Sequence, residues 1–332
     1  MLACIKQVVT NLDTITVGLT AKLSNDAITG DNEAEGNEEA INAYSDSVII
    51  DQARFPVRLT GLLDEQKNAY DMRMDAKEKI SIRMQEFIER QFFLKLAGVG
   101  HGSLTDVNGT VISGDYDWSN TGAQVPTADT AAGYGDRYLC ADYTNGADSL
   151  ATTDLLTPEL ISRARVKASL ASPKIQPLKI NGKNFYVMFV HPWQAYDLKN
   201  NATYAQAQRE AAVRGEKNPI FTGALGVWDG VIVHEHEYVP FLDISVVGHN
   251  FYATASGTDF GADCFRALLV GRQAGVFARS KYSNMKGWVE KTFDYDNQTG
   301  FCSRIIGGIQ KLTFNSKDYG VICCDTSATA LV

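Results

Sequence analysis

Apolar residues recur at two spacings along this chain, and the switches between them mark out its elements. Between residues 64 and 96 there is no Pro and no Gly, and Ile80, Met84, Phe87, Ile88, Phe92 and Leu96 return every three or four positions. That is one side of an amphipathic helix. Gly98 supplies a stop signal, and Glu86 and Arg90 stand at a favourable i,i+4 spacing on the wetter side. Unbroken, such a helix is roughly 50 Å long at 1.5 Å per residue. It would then be a structural axis; the alternative is an amphipathic helix broken near Tyr70.

Before this helix the spacing is two. Residues 13–23 (DTITVGLTAKL) put Ile15, Val17 and Leu19 on one face, which predicts a strand. A second strand is expected over 47–59, where Pro56 suits an edge or exposed position. The segment between them is polar and carries Asp31, Glu33, Glu35, Glu38 and Glu39. Together they predict an extended hairpin arm with an acidic tip, too poor in large apolar residues to form a core alone.

After the helix, residues 101–151 are rich in Gly, Asp, Thr, Ser and Asn, which predicts a long irregular surface excursion. Thr157, Pro158 and Glu159 are an N-cap, a first-turn proline and an early acid, opening a helix expected to reach about Leu170. Residues 179–190 read as a hairpin turning at Asn181-Gly182, and 185–190 are apolar on both faces, as a central buried strand would be. His191-Pro192 opens a short helix through Leu198, and 202–213 is a further helical segment. Residues 226–236 read as one strand with Val231 and Val233 on one side, and 267–271 are short and apolar. From 280 onward strands return, with a hairpin expected over 311–324 around NSKD. No internal repeat and no clean linker divides the chain.

Composition narrows the function class. Hydrophobic residues at 45% and charged ones at 21% are ordinary for a globular chain and argue against disorder. A formal charge of −8 without any Lys/Arg cluster disfavours a broad nucleic-acid-binding face, although a shell enclosing DNA without adhering to it would also be acidic. Cys4, Cys140, Cys264, Cys302, Cys323 and Cys324 contain no CxxC, so neither a zinc knuckle nor a redox pair is indicated, and reduced thiols are expected. No apolar run reaches the length of a membrane helix, and the start MLACIKQVVT is too short in apolar residues for a signal peptide.

Candidate chemistry is sparse. His234 and His236 flank Glu235 and would share one face of a strand, so they could supply two metal ligands, but no third is identifiable. Asp31, Glu33, Glu35 and Gly36 imitate the start of a calcium loop, yet its twelfth position is Asn42. There is no GxSxG, no Walker-type loop and no strand-linked GxGxxG; GRQAG (271–275) reads as a tight packing turn. The residues alone therefore predict a non-enzyme with an extended arm and no cofactor.

Several blocks resemble the major capsid proteins of the N4 phage type. They are DTITVGLTAKL, GDNEAEGNEEAINAYSDSVIIDQARFPVR, the helix ending FFLKLAG, INGKNFYVMFVHPWQAYDL, NPIFTGALGVWDGVIVHEHEYVP, RALLVGRQAG and IGGIQKLTFNSKDYGVICCDTSA. These cover most of the chain in the family's order. The resemblance implies an α+β chain with the tailed-phage major capsid fold of the Hong Kong ninety-seven type. On it, 1–12 is a short N-terminal arm, 13–61 the E-loop hairpin, and 62–154 a peripheral domain with the spine helix 64–96 and an insertion at 101–151. Residues 155–278 form the axial domain, and 279–332 return to the peripheral sheet. The segment before the first strand is shorter than the family's, so arm-mediated clamping is not carried over, and neither is lysine–asparagine cross-linking.

The implied function is self-assembly into hexamers and pentamers of an icosahedral capsid that encloses DNA without sequence-specific binding. The implied location is the virion, after assembly in the host cytoplasm. Implied partners are other copies of the chain, with scaffolding, portal and decoration proteins and no membrane. Asp31, Glu33, Glu35, Glu38, Glu39, Arg54 and Arg58 are the expected subunit-interface residues, the acids meeting basic groups of an adjacent subunit. Rival readings are a decoration or tail component, or a metal-dependent hydrolase using His234 and His236. A long central helix argues against a tail-tube protein, which would be mostly β.

Overall fold

The computed structural model describes residues 4–9, 14–20, 23, 26–41, 43–98, 137–142, 150–212, 224–242, 263–314 and 317–329. Strands β1 (Cys4–Val9), β2 (Thr14–Thr20), β3 (Ala43–Ile49) and β4 (Asp51–Arg58) precede helices α1 (Leu62–Lys67) and α2 (Met72–Ala97). Next come β5 (Tyr138–Cys140), α3 (Pro158–Leu170), β6 (Leu178–Ile180), β7 (Lys183–Val190), α4 (Pro192–Asn200) and α5 (Ala202–Ala212). Then follow β8 (Ala224–Trp228), β9 (Val231–Glu235), β10 (Phe241–Leu242), β11 (Cys264–Val270), β12 (Gly275–Ser280) and β13 (Asn284–Phe293). The chain closes with β14 (Gln298–Lys311), β15 (Thr313–Phe314), β16 (Lys317–Asp318) and β17 (Val321–Thr326).

The helix over 64–96 is not continuous. It breaks between Lys67 and Met72, where Asp71 becomes a new N-cap: its carboxylate accepts from the backbone N–H groups of Arg73 and Met74. An N-cap aspartate satisfies donors that a through-running helix would pair internally, so restarting costs little. At its other end Gly98 takes the left-handed conformation (φ 68°) and closes the helix as expected. Glu86 pairs with Arg83, at 3.8 Å, while the Arg90 guanidinium lies over the Tyr238 ring. At 26 residues, α2 is about 39 Å long.

α2 lies along a five-stranded sheet. β12 and β13 run in succession down one edge of β14, β1 adds in parallel outside β12, and β4 occupies the other edge of β14. Cys302 shows the arrangement, bridged by Val289 on one side and Pro56 on the other. Pro56 thus stands on an edge strand, where a missing N–H is harmless. The first residues of the chain, expected as an arm, include the strand β1. Ile80 and Ala76 pack on Phe301 and Leu59, and Phe87 packs on Ile305, Ile309 and Phe55. Each such large side chain, fully buried, contributes roughly 1.5–3 kcal/mol.

The C-terminal turns of α2 leave that sheet. Phe93, Leu94, Leu96 and Ala97 join Leu268, Val270, Val321 and Cys323 in the core of an eight-stranded sheet ordered β5-β17-β11-β7-β9-β8, with β6 on β7 and β10 on β11. The other face of this sheet is covered by α3, α4 and α5 through Ile161, Ala168, Leu198 and Tyr204. β11 and β17 are therefore buried on both faces, which is why both are largely apolar without alternation, their charged members Arg266 and Asp325 pairing with each other. One helix ties the two sheets together.

Local expectations held at α3, capped by Thr157, and at the β6–β7 turn, where Asn181 and Gly182 have φ of 50° and 78°. His191 is a helix-entry residue, forming a capping box with Gln194. Others need correction. Residues 226–236 are not one strand: β8 and β9 form a hairpin turning at Asp229-Gly230, both with positive φ. The expected hairpin over 311–324 shrinks to β15–β16, because β17 crosses to pair with β11 and β5. In the expected surface excursion, Arg137, Tyr138, Leu139 and Cys140 are buried, and β5 runs parallel to β17. Residues 101–136 and 143–149 of that excursion lie outside the described residues. At Gly271, a Cβ would meet the Ile175 side chain and the Gln176 carbonyl, so GRQAG is the tight packing turn expected.

Candidate subunit interface

The arm begins where β2 and β3 pair in register from Thr14↔Ile49 to Thr20↔Ala43. Ile15, Val17 and Val48 seat its root on Val276, Ala278 and Leu312. Seven residues at about 3.4 Å carry the ribbon roughly 24 Å from root to tip. The root has a polar anchor as well. The Asp46 carboxylate on β3 accepts from the Thr313 backbone N–H (2.9 Å), the Thr313 hydroxyl (3.0 Å) and the Gln310 amide (3.3 Å). Hydrogen bonds to a charged group are each worth about 1.5–3 kcal/mol, so Asp46 fixes where the arm leaves the body. Sequence reading missed it; the only signal was an acid at an otherwise β-like position of AYSDSVI.

The tip holds itself by local bonds. Asn37 donates from its backbone to Ala34 O and from its side chain to Glu33 O, Asn32 donates to Thr29 O, and Glu38 accepts from Gly36 N at 2.8 Å. These turns leave the carboxylates of Asp31, Glu33, Glu35 and Glu38 exposed, with Glu39 half-buried. Leu23, Ile28 and Ile41 are exposed there too. Arg54 and Arg58 are exposed on β4, and Arg58 lies 4.6 Å from the centre of the Phe293 ring. The acids and the two arginines are thus separate surfaces within one chain.

His234 and His236 do not share a site. The His234 ring stacks on Phe189, whereas His236 follows the end of β9, packs on Phe93 and accepts from the Tyr238 backbone N–H through Nδ1. Burial lowers the pKa of both. Among the described residues no group of three His, Cys, Asp or Glu side chains is arranged to hold a metal ion. Cys140 and Cys323 are buried, and desolvation pushes each thiol up to about 12; neither is a nucleophile at neutral pH. Among the described residues no helix is long and apolar enough to cross a membrane.

Comparison with known proteins shows what the architecture is for. The phage capsid protein family model matches residues 4–330. The chain belongs to the phage capsid protein family. The major capsid protein of Pseudomonas phage KPP25 is 30% identical over 323 residues, 92% of this chain and 81% of that protein. Among solved structures, the capsid of Ralstonia phage GP4 superposes with a TM-score of 0.80 at 28% identity, covering 98% of this chain and 87% of that one. The Cyanophage Pam1 capsid asymmetric unit shares the fold, at a TM-score of 0.70 and 21% identity over 95% and 85% of the two chains. The two-sheet body, the bridging helix and the arm are accordingly a phage capsid protein's fold, here α+β.

Proposed function

We propose that this chain is the major capsid protein of a phage head, self-assembling into hexamers and pentamers of an icosahedral virion shell around double-stranded DNA. The match to the phage capsid protein family across nearly the whole chain carries the reading. In this reading the E-loop is the β2–β3 hairpin, shorter than the expected 13–61 because the expected strand over 47–59 splits and β4 joins β14 at the sheet edge. α2 is the spine helix, the five-stranded sheet the peripheral domain and the eight-stranded sheet the axial domain; β5 and β17, expected in the peripheral ranges 62–154 and 279–332, belong to the axial sheet instead. The arm supports it physically: its root is fixed by apolar packing and Asp46, yet among the described residues its tip exposes acids and apolar groups.

An arm on one subunit that meets a different surface on the next is a heterologous contact, the type that propagates into rings and closed shells. Each contact can be modest, because the closed lattice repeats it many times over. Asp31, Glu33, Glu35, Glu38 and Glu39, with Arg54 and Arg58, are the interface residues of this reading. Scaffolding, portal and decoration proteins are the additional partners such a head calls for.

Deleting residues 25–42 from the full chain tests it. The expected product is folded subunits, by circular dichroism, that form no shells in negative-stain micrographs. Intact shells from the deletion variant would overturn the role of the arm.

A further inference from the structure

The five-stranded sheet has two faces, and among the described residues α2 covers one of them along most of its length. Odd-numbered residues of β14 (Phe301, Ser303, Ile305, Ile309) meet α2. On the opposite face, the arm root covers Val276 and Ala278 at the β12 end. The β4–β13 end of that face is bare among the described residues. It presents Arg54 and Arg58 from β4, Arg304 from β14 and Lys291 from β13, all four exposed. Pro56, Val289 and Ile306 lie between them.

The register makes this arrangement costly in isolation. Arg54 stands directly opposite Arg304, and like charges facing each other across an antiparallel pair are destabilising. Arg58 and Lys291 both flank Gly300 and both lie over the Phe293 ring, at 4.6 and 5.1 Å from its centre. Gly300 permits this, since a Cβ there would meet the Phe293 ring edge at 2.8 Å. The acids of these strand segments, Asp51 and Glu290, fall at positions that alternate to the α2 side, and Glu290 approaches Arg73 of α2 at 3.9 Å. Among the described residues none of the four cations has a carboxylate within ion-pair distance.

The geometry points to this cationic patch as the seat for the acidic arm tip of a second copy of the chain. The inference rests on the arm reading above and adds the surface that receives it. Residues 26–41 hold Asp26, Asp31, Glu33, Glu35, Glu38 and Glu39 without one Lys or Arg. Four of these acids are exposed between positions 31 and 38, matching four exposed cations, and the exposed Ile28 and Ile41 match the apolar stripe of Pro56, Val289 and Ile306. Packaged nucleic acid is the other polyanion at hand, but it offers no apolar side chains to that stripe. A donor tip and an acceptor face at different places on one chain give the head-to-tail contact a shell requires.

The test is a charge swap in the full-length chain. Arg54→Glu with Arg304→Glu, and separately Glu33→Lys with Glu35→Lys, should each lower shell yield by about tenfold or more, and combining them should restore most of it. Arg54→Gln separates assembly from folding: by removing like-charge repulsion it should leave the melting temperature of the unassembled chain unchanged or higher, while shell yield falls. Wild-type yield from the Arg54→Glu/Arg304→Glu variant overturns the inference, as does failure of the combined variant to regain any yield. If that face variant assembles normally while the 25–42 deletion does not, the tip has another acceptor and only this inference fails. If the deletion also assembles, the arm reading fails with it. Normal shells with reduced DNA content in the face variant would overturn the inference in favour of the nucleic acid.

Discussion

Arg266 on β11 and Asp325 on β17 form a two-armed ion pair with neither side chain exposed: Nε to Oδ1 is 2.8 Å and Nη2 to Oδ2 is 2.7 Å. The third guanidinium nitrogen donates to the Ala97 carbonyl at the end of α2, and the Tyr138 hydroxyl donates to Asp325. One buried pair therefore joins the spanning helix to three strands of the larger sheet. Removing one member of such a pair strands a charge in the interior and typically costs 3–5 kcal/mol. Asp325→Ala should lower unfolding stability by about that amount in denaturant titration. A loss under about 1 kcal/mol would mean that water enters the site.

Asp46 makes a different kind of claim, because it anchors the arm and not the core. Asp46→Ala should raise amide exchange and proteolysis in residues 43–49 while the main unfolding transition moves little, since local opening is separable from global unfolding. Shell assembly should weaken in parallel. Unchanged exchange in β3 would show that Ile15, Val17 and Val48 hold the root without it.

Gly308 is where the arm root crosses the body. A Cβ at this position would run into the Ile49 carbonyl, and the Val48 side chain stands 3.0 Å away. Backbone cannot yield as a flexible side chain can, so Gly308→Ala should cost about 1–3 kcal/mol and displace the hairpin. Thermal unfolding and arm proteolysis read the two effects separately.

His191 gives the fold a pH dependence. Burial against Phe241 and Phe265 lowers its pKa to about 4 from the ordinary 6.5, and its Nδ1 accepts from the Trp193 backbone N–H as the cap of α4. Because the folded-state value lies below the unfolded one, the neutral form's contribution is complete above pH 6.5. It is lost progressively as pH falls toward 4. His191→Asn keeps a capping side chain without titrating in this window, so its stability curve should be flatter between those values. A variant with the same acid limb as the natural chain would assign that limb to other groups.

Local order in this protein was legible in the chain because its causes are local. Thr157 caps α3, Asn181-Gly182 turns the β6–β7 hairpin and Gly98 ends α2, all through contacts within a few residues. Alternation likewise marks Ile15, Val17 and Leu19 as one buried face, though not what covers it. The acids of the arm tip and their exposure follow from composition in the same way. What the tertiary structure alone decided is partnership. VICC looks like the return limb of a hairpin, but it crosses to β11 because both of its faces are apolar and only the larger sheet can bury both. Tyr138–Cys140 is too short to signal a strand until β17 offers it an edge. Arg54 and Arg304 are far apart in the chain, and only the pairing of β4 with β14 makes them face each other. Periodicity records which side of an element is apolar; which surface it meets depends on every other element competing for burial.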